Sequence, residues 1–123
     1  MAATLALLAR FETDKAFDHD SFCLTAWEIV QRTNEERGKW IAEHTRHEGM
    51  TVDCQKRTVE LKLLLHSPFK DIPGNWRDRT NFRWNEDYCS DPGWESAINN
   101  QWTITLTVMS ANEEIASFRA DCH

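Results

Sequence analysis

Residues 101–109 read Gln101-Trp102-Thr103-Ile104-Thr105-Leu106-Thr107-Val108-Met109, and they alternate cleanly. Trp102, Ile104, Leu106 and Val108 fall on one side, Thr103, Thr105 and Thr107 on the other. Successive side chains of a strand point to opposite faces, so this is a strand with one buried and one open face. Threonine suits the open face, because its β-branched side chain packs well on a pleated surface. Ser110-Ala111-Asn112-Glu113-Glu114 reads as a turn. Ile115 to Asp121 then returns antiparallel, which makes a C-terminal hairpin of the longer-loop kind.

Upstream, residues 57–66 repeat the pattern. Val59, Leu61, Leu63 and Leu65 share one face, and Thr58, Glu60 and Lys62 share the other. Residues 3–11, with Leu5, Leu7, Ala9 and Phe11 at alternate positions, suit a further strand. Between them, residues 21–48 carry a helical pattern. Phe22, Ala26, Trp27 and Val30 form one apolar stripe, Asp20 or Ser21 can cap its start, and Gly49 its end. The stripe pauses at Thr33-Asn34-Glu35-Glu36, which fits a capping box, and resumes at Trp40, Ile41 and His44. One long helix or two shorter ones are expected there. Residues 67–100 hold all three prolines and read as a long loop, with room for a short helix at Trp94 to Ile98. Half-polar strands need cover on one face only. The expected fold is therefore α+β, an antiparallel sheet of three to four strands with the helical segment packed on one side.

The chain has 123 residues, 41% hydrophobic and 28% charged. One domain, 1–123, is expected, with a core large enough to fold without metal or cross-link. No apolar run approaches the length of a membrane helix. The opening residues lack the basic start of a secretion signal, so the expected placement is cytoplasmic. Cys23, Cys54, Cys89 and Cys122 contain no C-x-x-C pair. Reduced cysteines packed as small hydrophobes are expected over two disulfides.

Net charge is −6, unevenly spread. Residues 61–84 hold five bases against two acids, and residues 85–123 hold seven acids against Arg119 alone. An acidic chain is a poor ligand for a long nucleic-acid duplex, where neutralising phosphate dominates affinity. It suits a protein partner with a basic surface.

The densest chemistry lies in residues 75–84. Trp76, Phe82 and Trp84 alternate with Arg77, Arg79 and Arg83, and Glu86 and Asp87 follow. Arginine grips a phosphate with two hydrogen bonds, and rings stack on bases. Tryptophan and arginine are also the residues that anchor protein interfaces. The blander account is that the rings anchor a loop onto the sheet. His44 and His47 would stand on one face of a helix at i, i+3, a weak arrangement for a metal such as zinc. Packing and the helix dipole explain them more simply. Asp18-His19-Asp20 reads as a solvated cap. There is no nucleophile elbow, phosphate-binding glycine loop or cysteine-protease pattern. No cofactor and no catalysis are expected.

These features favour a small acidic, non-catalytic protein that inhibits or regulates a macromolecule, for example a basic nucleic-acid-processing protein. Immunity proteins and phage-encoded inhibitors offer a class analogy, which composition alone cannot turn into function. The alternative is a small-ligand or nucleotide-binding protein using the Arg/Trp segment. A zinc-stabilised module is a further one.

Overall fold

A computed structural model describes residues 17–42, 44–66 and 73–122. The candidate strand at 3–11 lies outside them. The chain is α+β, and its described residues form three α-helices and a five-stranded mixed sheet.

Helix α1 spans His19–Thr33. The Asp18 carboxylate accepts the Ser21 backbone N–H at 3.1 Å, and that bond holds its carboxyl below the usual carboxylate range. Phe22, Ala26 and Val30 turn inward as expected. Trp27 does not: it is about half exposed, as is Leu24 beside it. The helix ends where Asn34 turns its amide to the sheet. Its Nδ2 donates to the Met50 carbonyl at 2.9 Å, and its Oδ1 accepts the Met50 N–H at 2.7 Å. A short 3₁₀ turn, Asn34–Glu36, follows.

The helical expectation for residues 40–48 fails here. The chain forms strands β1 (Trp40–Ala42) and β2 (Thr45–Asp53). Gly38, at φ +84°, makes the turn, and its N–H donates to the His47 carbonyl at 2.7 Å. Trp40 and Ile41, taken above as the resumption of a helical stripe, are neighbours on an edge strand and face opposite ways. Gly49 is no helix cap. It sits at φ +129° in a bulge of β2, between His47 and Gly49 in the register against β3. An added Cβ there would approach Arg37 Nε to 3.3 Å.

Strand β3 (Thr58–Leu65) matches its expected span. Beyond it, the expected loop contains two helices, α2 (Trp76–Cys89) and α3 (Pro92–Asn99). Of the two described prolines, Pro73 precedes α2 and Pro92 sits at the start of α3, where a missing N–H costs nothing. Pro92 opens α3, and the Asp91 carboxylate accepts the Gly93 N–H at 2.9 Å. This helical crossover returns the chain parallel to β3, as such connections allow. The β3–β4 pair is therefore parallel and the sheet is not wholly antiparallel.

Strands β4 (Thr103–Ser110) and β5 (Glu113–Arg119) form the expected hairpin. Its loop is tighter than expected. Ala111 and Asn112, at φ 52° and 70°, turn the chain alone between paired Ser110 and Glu113. Two left-handed residues match the twist of the strands they join.

The sheet order is β1-β2-β3-β4-β5. Val59, Ile104, Leu106, Val108, Ala116 and Phe118 share one face and pack beneath the helices with Val30, Trp84, Ala97 and Trp102. The opposite face carries the threonines. Thr107 is nonetheless only 4% exposed, and its Oγ1 donates to Glu60 Oε2 at 2.5 Å.

The cysteines are paired, contrary to expectation. Cys23–Cys54 ties α1 to the β2–β3 turn, and Cys89–Cys122 ties the end of α2 to the segment after β5. Each bridge joins cysteines that are consecutive in the sequence. The 31- and 33-residue spacings carry no pattern that distinguishes this pairing from reduced thiols.

Candidate ligand-binding groove

Helix α2 sorts the Arg/Trp segment by its 3.6-residue period. Trp76, Thr80, Arg83, Trp84, Asp87 and Tyr88 fall on the side toward the sheet. Asn75, Asp78, Arg79, Phe82 and Glu86 fall on the side toward solvent, where Phe82 is 65% exposed.

The helix is fastened along the β4–β5 half of the sheet. Trp84 is buried, and its Nε1–H donates to the Ile104 carbonyl at 3.1 Å. Trp84 is thus a core anchor, as in the account that seats the rings on the sheet. Its ring meets Tyr88 at 4.5 Å between centroids, and Tyr88 meets Trp94 edge-on at 5.0 Å. Phe22 of α1 continues the row onto Trp94 and Trp102. Burial, with Asp87 beside it, pushes the Tyr88 phenol up to about 12. At the other end of α2, Trp76 stacks edge-on against Phe118. Arg77 lies over the Trp76 ring and donates to the Ile115 carbonyl of β5 at 2.9 Å. Asn85 Oδ1 accepts the Asp121 N–H at 2.8 Å.

Helix α1 covers the sheet near Met50 and Val59, and α2 covers β4 and β5. Beside α2 a groove of about 470 Å³ opens over the end of β3. Val59 is fully buried, whereas Leu61, Leu63 and Leu65 on the same face are only half-buried. These three leucines, with Leu106 and Val108, form an apolar floor. Ile41 and Thr45 line it from the β1–β2 side. Trp76, Thr80, Arg83, Trp84 and Asp87 line it from α2. The volume lies within the range of small-molecule sites, roughly 300–1,000 Å³.

Arg83 and Asp87 are the charged groups of this lining. Both are exposed, one helical turn apart. Among the described residues neither takes part in an ion pair. An arginine four residues before an aspartate has the weaker orientation for an i, i+4 pair.

The other candidate residues are dispersed. Arg79, Phe82 and Arg83 border a shallow depression on the outer side of α2. Glu86 points to solvent near the end of α2. His44 lies in the β1–β2 turn and is exposed, while His47 is buried in β2. They are not on a helix, so the spacing argument for a metal falls. Among the described residues no group of three or more His, Cys, Asp or Glu is placed to hold one. His47 stands opposite Leu63 in the register, and neither ring nitrogen has a hydrogen-bond partner among the described residues. His19 packs its ring on Trp102 rather than joining Asp18 and Asp20 in a site. No described helix is long and apolar enough to cross a membrane.

Ile41, Thr45, Thr80, Leu106, Val108 and the three leucines are the site residues that sequence reasoning missed. The alternation in β3 does say which way the leucines face, but it cannot say whether a helix lies over them.

Fold and groove define a class: a small disulfide-bonded α+β protein with a half-covered sheet face. No protein-family pattern matches the chain, and no curated protein matches it. Among solved structures, it is similar to that of a presumed secreted protein from Pseudomonas aeruginosa. The two share 16% identity with a TM-score of 0.65, covering 84% of this chain and 94% of the other. At that identity the likeness shows a shared fold.

Proposed function

We propose that this chain is a non-catalytic binding protein that holds a small, largely apolar molecule in the groove under α2. The observation that carries this reading is the half-buried leucine floor between α2 and the β1–β2 side of the sheet. Uncovered apolar surface is costly in water, and an apolar guest recovers the loss. The reading keeps Trp76 and Arg83 in the site, moves Trp84 to its inner wall, and assigns no cofactor. Nucleotide binding draws less support from the geometry, because Arg77 is turned to the Ile115 carbonyl and Arg79 and Arg83 border only a shallow depression.

Two disulfides support an oxidising compartment, since thiols stay reduced in the cytosol. The expectation of cytoplasmic placement rested on the opening residues, and the paired cysteines point away from it. The secreted description of the structural neighbour points the same way.

The test is titration with the apolar dye N-phenylnaphthylamine. Saturable fluorescence enhancement, lost in Thr80→Trp, is expected, because the new indole fills the groove from α2. Enhancement that is absent, or unchanged in that variant, overturns the reading.

A second reading, regulation of a basic macromolecular partner, rests on a separate feature. Asp18, Asp20, Glu86, Asp91, Glu95 and Asp121 are all exposed. The Phe22–Trp94–Tyr88 contacts and the Asn85–Asp121 bond gather their elements at one end of the molecule. Reversing Glu86 and Glu95 to Lys should then slow association with a captured partner and flatten its salt dependence. Association indifferent to both would remove this reading.

A further inference from the structure

We infer that the groove's guest is a single-chain amphiphile with a zwitterionic head, its phosphate at Arg83 and its ammonium at Asp87. The inference rests on the groove reading above and adds the chemistry of the guest. Three observations carry it.

The first is size. The 470 Å³ of the groove falls in the lower half of the small-molecule range, roughly 300–1,000 Å³, which suits one slender chain.

The second is polarity. The floor of Leu61, Leu63 and Leu65 offers the chain no hydrogen-bonding side chain, whereas the α2 rim ends in two charged groups. An alkyl body with one polar end satisfies both.

The third is charge complementarity. Arg83 and Asp87 are opposite in sign and unpaired with each other. Four residues of helix rise about 6 Å. By ordinary bond lengths a two-carbon bridge sets phosphate and ammonium about 4–5 Å apart. A zwitterionic head can therefore meet both side chains at once. A simple anion would meet Asp87 unfavourably, and a simple cation would meet Arg83 so.

The experiment compares dodecyl chains differing in head group: phosphocholine, carboxylate, trimethylammonium and maltoside, each below its micelle concentration. The readout is the methyl spectrum of Ile41, Leu61, Leu63 and Leu65 in the oxidised full chain. Dodecylphosphocholine should shift these methyls and bind about three- to fivefold tighter than either singly charged chain, the range of an exposed ion pair. Asp87→Asn should move the preference toward dodecanoate, and Arg83→Gln toward dodecyltrimethylammonium. Both side chains are exposed, so neither change threatens folding, and a purely structural role would not invert a preference. If all four chains shift the groove methyls with equal affinity, the head-group assignment is overturned and the groove reading stands. If none shifts them and the apolar dye also fails to bind, both are overturned.

Discussion

Cutting each disulfide separately measures how much of this fold rests on cross-links. The bridges close stretches of 31 and 33 residues. The chain-entropy relation then assigns each about 3.7 kcal/mol at 25 °C, and measured cases scatter over about 2–4 kcal/mol. The stretch 23–54 and the stretch 89–122 share no residue, so the two losses should be close to additive. Their sum, about 7 kcal/mol, is comparable with the whole stability of an ordinary domain, about 5–15 kcal/mol. Each pair should be replaced by alanine, Cys23 with Cys54 and Cys89 with Cys122, and unfolded in urea. Single-pair variants should remain folded with reduced midpoints, and the variant lacking both should be marginal or unfolded. The wild-type chain, denatured without reductant, should show no free thiol. Four titratable thiols, or losses under about 1 kcal/mol for both pairs, would refute the assignment of the bridges as stabilising cross-links.

Leu106→Ala should cost about 2–5 kcal/mol in urea unfolding, because its side chain is buried under α2. Thr105→Ala, on the open face, should cost under about 1 kcal/mol, whereas Thr107→Ala should cost more, because it leaves Glu60 without its hydroxyl partner. Trp84→Phe should cost about 0.5–1.5 kcal/mol, since it removes one of the two hydrogen bonds to the Ile104 carbonyl, which keeps the Ala120 N–H; a neutral result would show that the indole N–H is not used. Tyr88 is the chain's one tyrosine, so phenolate absorbance reports it alone. Its midpoint should lie near 12 in the folded protein and near 10 in urea. A raised phenol pKa means that the folded state holds its proton longer, so this contribution is intact below about 10 and is lost as pH rises toward 12.

The strands β3 and β4 are legible in the sequence because each is a run of strict alternation, and neither propensity nor tertiary contact argues against it. The helix α2 is not. Its inward stripe is Trp76, Thr80, Trp84 and Tyr88, but Asn75, Arg77, Asp78, Arg79 and Asn81 surround that stripe and mask it. Two of the prolines that suggested a loop, Pro73 and Pro92, turn out to introduce helices. The edge strand β1 is only three residues long, too short for any periodicity to show, so its Trp40 and Ile41 merge with the helical pattern before them. The groove is less legible still. Trp76 and Arg83 could be named from their composition, but Leu61, Leu63 and Leu65 look like any core strand until the helices are placed. Exposure of a core-facing residue is a property of what fails to cover it, and that is decided by elements far away in the chain.

The central claim is that the leucine floor under α2 receives an alkyl chain. Isotope-filtered nuclear Overhauser contacts between unlabelled dodecylphosphocholine and the labelled protein test it most directly. Contacts from the chain to the methyls of Leu61, Leu63, Leu65 and Ile41 and to the Trp76 ring are expected, with the head near Arg83 and Asp87. Contacts confined to the exposed side chains of Leu24, Trp27 or Phe82 would contradict the claim.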